Sequence, residues 1–184
     1  MTGDGFARDP LQARALDMAA AADRSGGRLT LGREPFLTQV SLRLDPSLAS
    51  RSPFPLPLEP NTVTEDGSHE VLWLGPDEWL VLGEPHTGAQ IVEALERALA
   101  GEHRSVIDVS ANRVAVELGG TGRIAVLATG CGLDLHPRSW RGGMCAQTLF
   151  AKTHVILQER LNATRMLVRP SFADYLVDRL LVGL

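Results

Sequence analysis

The stretch VLWLGPDEWLVLG, residues 71–83, sets two carboxylates, Asp77 and Glu78, between two tryptophans, Trp73 and Trp79. Rings of this kind can hold a flat ligand, and a pair of acids can move protons on it. The alternative is a hairpin with a wet acidic tip. Pro76 suits the second position of a type I turn and Asp77 the third. A turn of that kind predicts Leu74 opposite Trp79 and Trp73 opposite Leu80, with the tryptophans on opposite faces of the sheet. They then form no clamp, and Asp77 and Glu78 lack the burial that raises a carboxyl pKa. A β-bulge would bring the rings to one face. Both faces of the hairpin are apolar, which predicts a covering layer on each side.

Other residues invite chemistry less strongly. Gly120-Thr-Gly-Arg-Ile-Ala125 fits G-x-G-x-x-A, a turn that in dinucleotide-binding proteins delivers the pyrophosphate to a helix N-terminus. Here the preceding strand carries Arg113 and Glu117 and reads as half exposed. Asp134 comes too early to hold a ribose, and the connection that follows is rich in Gly and Pro. A glycine turn into a helix is expected instead. Cys131, His136, Cys145 and His154 match no zinc spacing and are expected to act as small apolar or surface residues. Ser110 lies two residues from Asp108, but no G-x-S-x-G surrounds it, and a Ser-His-Asp set would have to be assembled by the fold. Asn162-Ala-Thr164 fits a glycosylation acceptor and reads as a turn. No catalytic, cofactor-binding or metal residue is assigned.

Composition narrows the classes. A chain of 184 residues with a net charge of −4 suits one domain and argues against a nucleic-acid surface. Its only lysine is Lys152. The opening MTGDGFARDP is no secretory signal, no apolar run is long enough for a bilayer, and two cysteines make no disulfide framework. A cytoplasmic protein is expected, with no membrane and no nucleic-acid partner.

The elements that would position these residues follow from periodicity. An Ala-rich helix is expected over 10–24, ended by Ser25-Gly26-Gly27, and a strand from Pro35 to Asp45. SPFPLPLEPN (52–61) reads as an extended arm packed on the domain, although Pro57-Leu-Glu-Pro60 also fits a PxxP ligand. Strands over 70–74 and 79–83 precede a helix over 88–100, capped by Thr87 with Gln90 and closed by Gly101. Strands over 104–109 and 113–118, a helix over 121–129, one long strand over 145–158 and a strand over 164–169 come next. A last helix starts at Ser171 with Asp174 as cap partner. The order from Trp79 to Gln158 is β-α-β-β-α-β, that of ferredoxin-like domains. The expectation is an α+β fold with an N-terminal helical arm over 1–27 and a single domain over 28–184. On the last helix Phe172, Leu176 and Leu180 form one apolar stripe and Val177, Leu181 and Leu184 a second. The second stripe points to association, including self-association of the chain alone.

Taken together, VLWLGPDEWLVLG, VIDVSANRVAVELGG and LATGCGLDLHP resemble the gamma subunit of heterotetrameric sarcosine oxidase, from about residue 28 to the end. The resemblance implies a complex of alpha, beta, gamma and delta subunits. The complex demethylates sarcosine oxidatively to glycine, forming methylenetetrahydrofolate and hydrogen peroxide. It implies FAD, FMN, NAD and tetrahydrofolate in the partner subunits and none in this chain. The family is similar in fold to the folate-binding domain of aminomethyltransferases. That likeness opens a second reading, a chain that itself binds tetrahydrofolate and transfers one-carbon units. Such enzymes place an acid just after the strand that follows the Pro/Gly loop, where this chain has Gln158 and Glu159 in KTHVILQER. Glutamine cannot supply that charge, so a non-catalytic subunit is expected.

Overall fold

The computed structural model describes residues 9–182. The expectations about residues 1–8 and Leu184 lie outside them. A nearly continuous helical stretch opens the chain, a 3-10 turn Gln12–Arg14 followed by α1 (Ala15–Ala19) and α2 (Ala21–Arg24). Gly26 and Gly27 stop it with φ of 63° and 79°, values that a side chain would strain. Strand β1 (Thr30–Glu34) follows, then β2 (Thr38–Leu44). A 3-10 turn Pro46–Arg51 leads into the Pro-rich arm. Beyond it come β3 (Val63–Glu65), β4 (Glu70–Gly75), β5 (Glu78–Gly83), α3 (Gly88–Ala98) and β6 (Arg104–Asp108). The second half holds β7 (Val114–Gly119), α4 (Arg123–Ala128), β8 (Met144–Phe150), β9 (Thr153–Glu159), β10 (Ala163–Val168) and α5 (Ala173–Val182).

The ten strands form two five-stranded sheets, ordered β1-β7-β10-β9-β8 and β3-β4-β5-β2-β6, with every pairing antiparallel. The α+β class is as expected. The β-α-β-β-α-β order is present along the chain, and its strands are divided between the two sheets. Set side by side, the halves share one topology: β2, β3, β4, β5 and α3 occupy the places that β7, β8, β9, β10 and α5 occupy in the other half. In the first half β6 follows the helix and pairs with β2. In the second, the place beside β7 is filled by β1, from the opposite end of the described chain.

Three apolar clusters separate four layers. Met18, Val126, Leu127, Leu176, Val177 and Leu180 pack helices α1, α4 and α5 on Val116, Leu157 and Met166 of the first sheet. Leu72, Leu80 and Leu82 of the second sheet meet Ala115, Ile156 and Leu167 of the first. On the outer face, Ile91 and Leu95 of α3, four residues apart, lie on Val40, Leu42, Val71, Trp79 and Val81. The hairpin β4–β5 is therefore covered on both faces. Along one side the sheets are stitched together, with Thr62 bridged to Met144 and Val63 N–H donating to Gly143 O.

Several local expectations are corrected. Strand β1 was not read from TLGRE, because Gly32, Arg33 and Glu34 carry no apolar alternation. The long strand 145–158 is two strands joined at Ala151-Lys152, where Ala151 takes φ 52° without a glycine to signal it. Strands β6 and β7 form no hairpin, because they belong to different sheets. The capping box is not made: Thr87 Oγ1 donates to Glu84 O, and α3 has no side-chain cap. Ser171 lies inside a 3-10 turn whose N-cap is Arg169. Both stripes of α5 face the core, since Leu176, Val177 and Leu180 are buried and Leu181 packs against the same cluster, while Phe172 is exposed. Of the second stripe, the described residues Val177 and Leu181 are thus spent within the chain and no longer argue for association.

Candidate functional site

At the β4–β5 hairpin the ladder pairs Trp73 with Trp79 and Gly75 with Glu78, and the register shifts between Trp73 and Gly75. This is the bulge that the simple turn excluded, so the expectation of tryptophans on opposite faces is wrong. Both rings lie on the outer face of their sheet. They still leave no slot between them for a ligand that Trp79 could share. Its ring is fully buried and its Nε1 donates to Pro57 O at 2.8 Å, so the Pro-rich arm lies against it. Asp77 and Glu78 stand at the tip as expected. Arg43 Nη2 donates to Asp77 Oδ1 at 2.9 Å and lies 3.8 Å from Glu78. That hydrogen bond holds the Asp77 carboxyl below its usual range, opposite to the shift a general acid needs.

The acids that do sit in the interior are elsewhere. Glu159, at the end of β9, is buried on the helix side of the first sheet. Its Oε1 accepts from Arg123 Nη2 at 2.7 Å, and its Oε2 accepts from Trp140 Nε1 at 2.9 Å and from the Thr164 hydroxyl. All of its acceptor directions are used by this chain's own donors. Gln158 points to the other side of the sheet. Its Oε1 accepts from Arg165 Nη1 at 2.7 Å and its Nε2 donates to Glu70 Oε1 at 2.8 Å. Arg165 is buried between the sheets and also pairs with Glu34 at 2.6 Å and with Glu70. Burial opposes its charge, yet the two carboxylates outweigh it and leave the guanidinium pKa raised. Arg160 joins Glu34, Glu70 and Glu117 at the rim. This network of Glu34, Glu70, Gln158 and Arg165 ties β1, β4, β9 and β10 together. It was missed in the sequence, although Arg165 inside the apolar run ATRMLV marks a charge on a core-facing position.

A cavity of about 580 Å³ opens between the β1–β2 connection, the start of α3 and the β6–β7 connection. Phe36 and His86 stack at 6.0 Å across it, and Asp108, Ser110 and Arg113 line it. Ser110 Oγ donates to Asp108 Oδ1 at 2.6 Å and accepts from Gln39 N at 3.0 Å, with no histidine as partner. Asp108 Oδ2 packs on Gly88, where an added Cβ would lie 2.0 Å away. Ser110 and Asp108 thus form a local turn that seats α3, and no Ser-His-Asp set is assembled.

The remaining motifs resolve in the same way. Gly120 has φ 93°, and a Cβ there would lie 2.3 Å from Arg28 O. Gly122 N–H donates to that same carbonyl at 3.0 Å, so this chain's own backbone occupies the place a pyrophosphate would take. β7, read as half exposed, is in fact central in its sheet, with Ala115, Val116 and Leu118 buried. Cys145 donates through Sγ to Thr62 O and Trp73 O, and burial pushes its thiol up to about 12. Cys131 lies 3.9 Å from Thr148 Oγ1, and His136 Nδ1 accepts from Arg138 N. No group of three or more His, Cys, Asp or Glu among the described residues could hold a metal ion. Thr164 of the glycosylation triplet is fully buried.

Comparison with known proteins decides the family. The family model for the sarcosine oxidase gamma subunit matches residues 44–181. The chain belongs to the sarcosine oxidase gamma subunit family. It is 34% identical to the sarcosine oxidase subunit gamma of Corynebacterium sp. (strain U-96) over 95% of this chain and 88% of that one. Identity to the Arthrobacter sp. subunit gamma is 37%, over 77% and 72% of the two chains. Among solved structures, a chain of the heterotetrameric sarcosine oxidase from Corynebacterium sp. U-96, in complex with pyrrole 2-carboxylate, superposes with a TM-score of 0.86 at 34% identity. That match covers 96% of this chain and 93% of the other. The glycine cleavage system aminomethyltransferase T of Bartonella henselae superposes with a TM-score of 0.65 at 14% identity, over 84% of this chain and 45% of that enzyme. The last likeness shows a shared fold, as the resemblance in the sequence implied.

Proposed function

We propose that this chain is the non-catalytic gamma subunit of a heterotetrameric sarcosine oxidase and acts in assembly. Its partners are larger alpha and beta flavoprotein subunits and a small delta subunit. FAD, FMN, NAD and tetrahydrofolate belong to the partners, and the complex works in the cytoplasm. No helix among the described residues is long and apolar enough to cross a membrane. The observation that carries the structural role is the state of Glu159. By the resemblance, Gln158 stands where an aminomethyltransferase would have its acid and Glu159 is only an approximate substitute, and Glu159 is held by Arg123, Trp140 and Thr164. With Arg123 Nε also donating to Oε1 at 3.2 Å, the carboxylate accepts four hydrogen bonds and has no free direction for a folate amine. Gln158 beside it is neutral and bonded to Arg165 and Glu70.

Co-expression with the flavoprotein subunits encoded nearby tests this reading. The chain is expected to co-purify with them, and flavin absorbance is expected to follow the larger subunits. Purified alone, it should be colourless and inactive towards sarcosine. A yellow isolated chain, or one that ignores the flavoproteins, would overturn the proposal.

A further inference from the structure

The face of the first sheet that looks towards the second carries two rows of polar residues with opposite electrostatics. In the inner row, Glu117, Arg165 and Gln158 lie side by side on β7, β10 and β9. There Arg165 is neutralised by Glu34 and Glu70. At the far end of the same strands Val168 pairs with Val114 on one side and Val155 on the other. One residue further along, Arg169 falls between Arg113 and His154, and His154 pairs with Leu149. Strands are spaced about 4.8 Å apart, so two guanidinium groups and an imidazole arise from neighbouring positions. Like charges placed directly opposite on a sheet repel.

At this end no ion pair offsets the repulsion. Nine other arginines of the described residues, among them Arg14, Arg43, Arg104 and Arg123, form ion pairs with carboxylates. Arg113 and Arg169 form none among the described residues, and neither side chain donates a hydrogen bond to the protein. Burial lowers the Arg113 pKa and the neighbouring Arg169 lowers it further, with only Glu78 working weakly the other way. The two arginines and His154 line a depression of about 450 Å³ together with Gln147, Leu149 and Ile156. This volume lies in the range of small-molecule sites.

We propose that this depression binds a small doubly charged oxyanion, a phosphate or a dicarboxylate with an apolar body. The planar forks of Arg113 and Arg169 each offer paired donors to one oxyanion edge. Gln147 Nε2 donates to Leu74 O at 2.9 Å and keeps one N–H free, and the apolar side chains of Leu149 and Ile156 accept the ligand's carbon skeleton. The anion replaces the carboxylates that neutralise Arg165 in the inner row. The site borders the hairpin tip, where Glu78 acts on Arg113, is separate from Glu159, and draws its named residues from this chain alone.

Titration calorimetry on the full chain tests it with three probes: inorganic phosphate, adipate and acetate. Phosphate and adipate should bind, acetate at least tenfold more weakly, and affinity should fall as sodium chloride is raised. Adipate binding tighter than phosphate would identify the dicarboxylate as the ligand class, and the reverse order the phosphate. Arg113→Gln and Arg169→Gln should each weaken binding at least tenfold, whereas Arg179→Gln on α5 should not change it. Arg169 is exposed, so its variant reports on binding even where Arg113→Gln lowers stability. The inference is overturned if neither dianion binds better than acetate, or if binding survives both substitutions. It is equally overturned if the chain binds no probe and both variants instead lose co-purification with the flavoproteins, because the arginines then meet a partner's carboxylate.

Discussion

Two regions of this molecule set carboxylates beside tryptophans, and the fold treats them in opposite ways. At the β4–β5 tip, Asp77 and Glu78 project into water with one exposed arginine for company. At the end of β9, Glu159 is buried and accepts from Arg123, Trp140 and Thr164. The first pair looks catalytic in sequence and has no burial to tune it. The second is buried, but every acceptor direction is taken. A carboxylate becomes chemically useful when it is desolvated and still has a direction open to a ligand, and neither region meets both conditions.

The contrast is broken most severely in the interior. Arg165→Ala leaves Glu34 and Glu70 without their main counter-charge between the sheets, and should cost about 3–5 kcal/mol of unfolding free energy in urea melts. Trp79→Ala should cost about as much, 3–5 kcal/mol, by opening a cavity under the Pro-rich arm. Trp73→Ala should cost less, because Trp73 is only half-buried. Trp140→Phe keeps an aromatic but smaller ring and takes the Nε1 donor from Glu159, and about 1–3 kcal/mol should be lost from the hydrogen bond alone.

Cysteine reactivity sharpens the same distinction at no cost to the fold. A thiol reagent at pH 8 should label Cys131 in the native chain and reach Cys145 only in urea, since burial holds the Cys145 thiol near 12. The sign follows: the raised pKa favours the native state fully below the usual thiol value of 9.0, and that contribution is lost as pH climbs from there towards 12. Smallest of all, Asp77→Ala should move stability by no more than about 0.5 kcal/mol, as for other exposed positions. A larger change would mean that the Arg43–Asp77 pair does more than the wet tip allows.

Much of this architecture was legible along the chain because its cues are local. Gly75-Pro76 marked the β4–β5 turn, Gly101 with φ 84° marked the end of α3, and alternation marked β2, β5 and β10. The apolarity of both hairpin faces foretold layers on both sides. What stayed hidden depends on partners distant in sequence or on signals that are missing. The bulge at Leu74 leaves no mark in WLGPDEW, so the tryptophan faces came out wrong. Ala151 turns the chain between β8 and β9 without glycine, proline or asparagine. The Thr87 hydroxyl was expected to accept from the Gln90 N–H, and only the fold shows that it donates to Glu84 O instead. Glu159 was noticed through resemblance, but its three donors come from residues 123, 140 and 164, and nothing local announces that they converge.

The proposed role of Glu159, a buried acid at the end of β9, is to support the fold and to take no part in turnover. Glu159→Gln keeps an oxygen acceptor for Trp140 and Thr164 while removing the charge. The decisive measurement is sarcosine turnover per assembled complex, with the variant chain co-purified with its flavoprotein subunits and normalised to bound flavin. The account predicts turnover equal to that of the wild-type complex, with any loss confined to the yield of assembled protein. Normal assembly with turnover abolished would place Glu159 in the chemistry and contradict it.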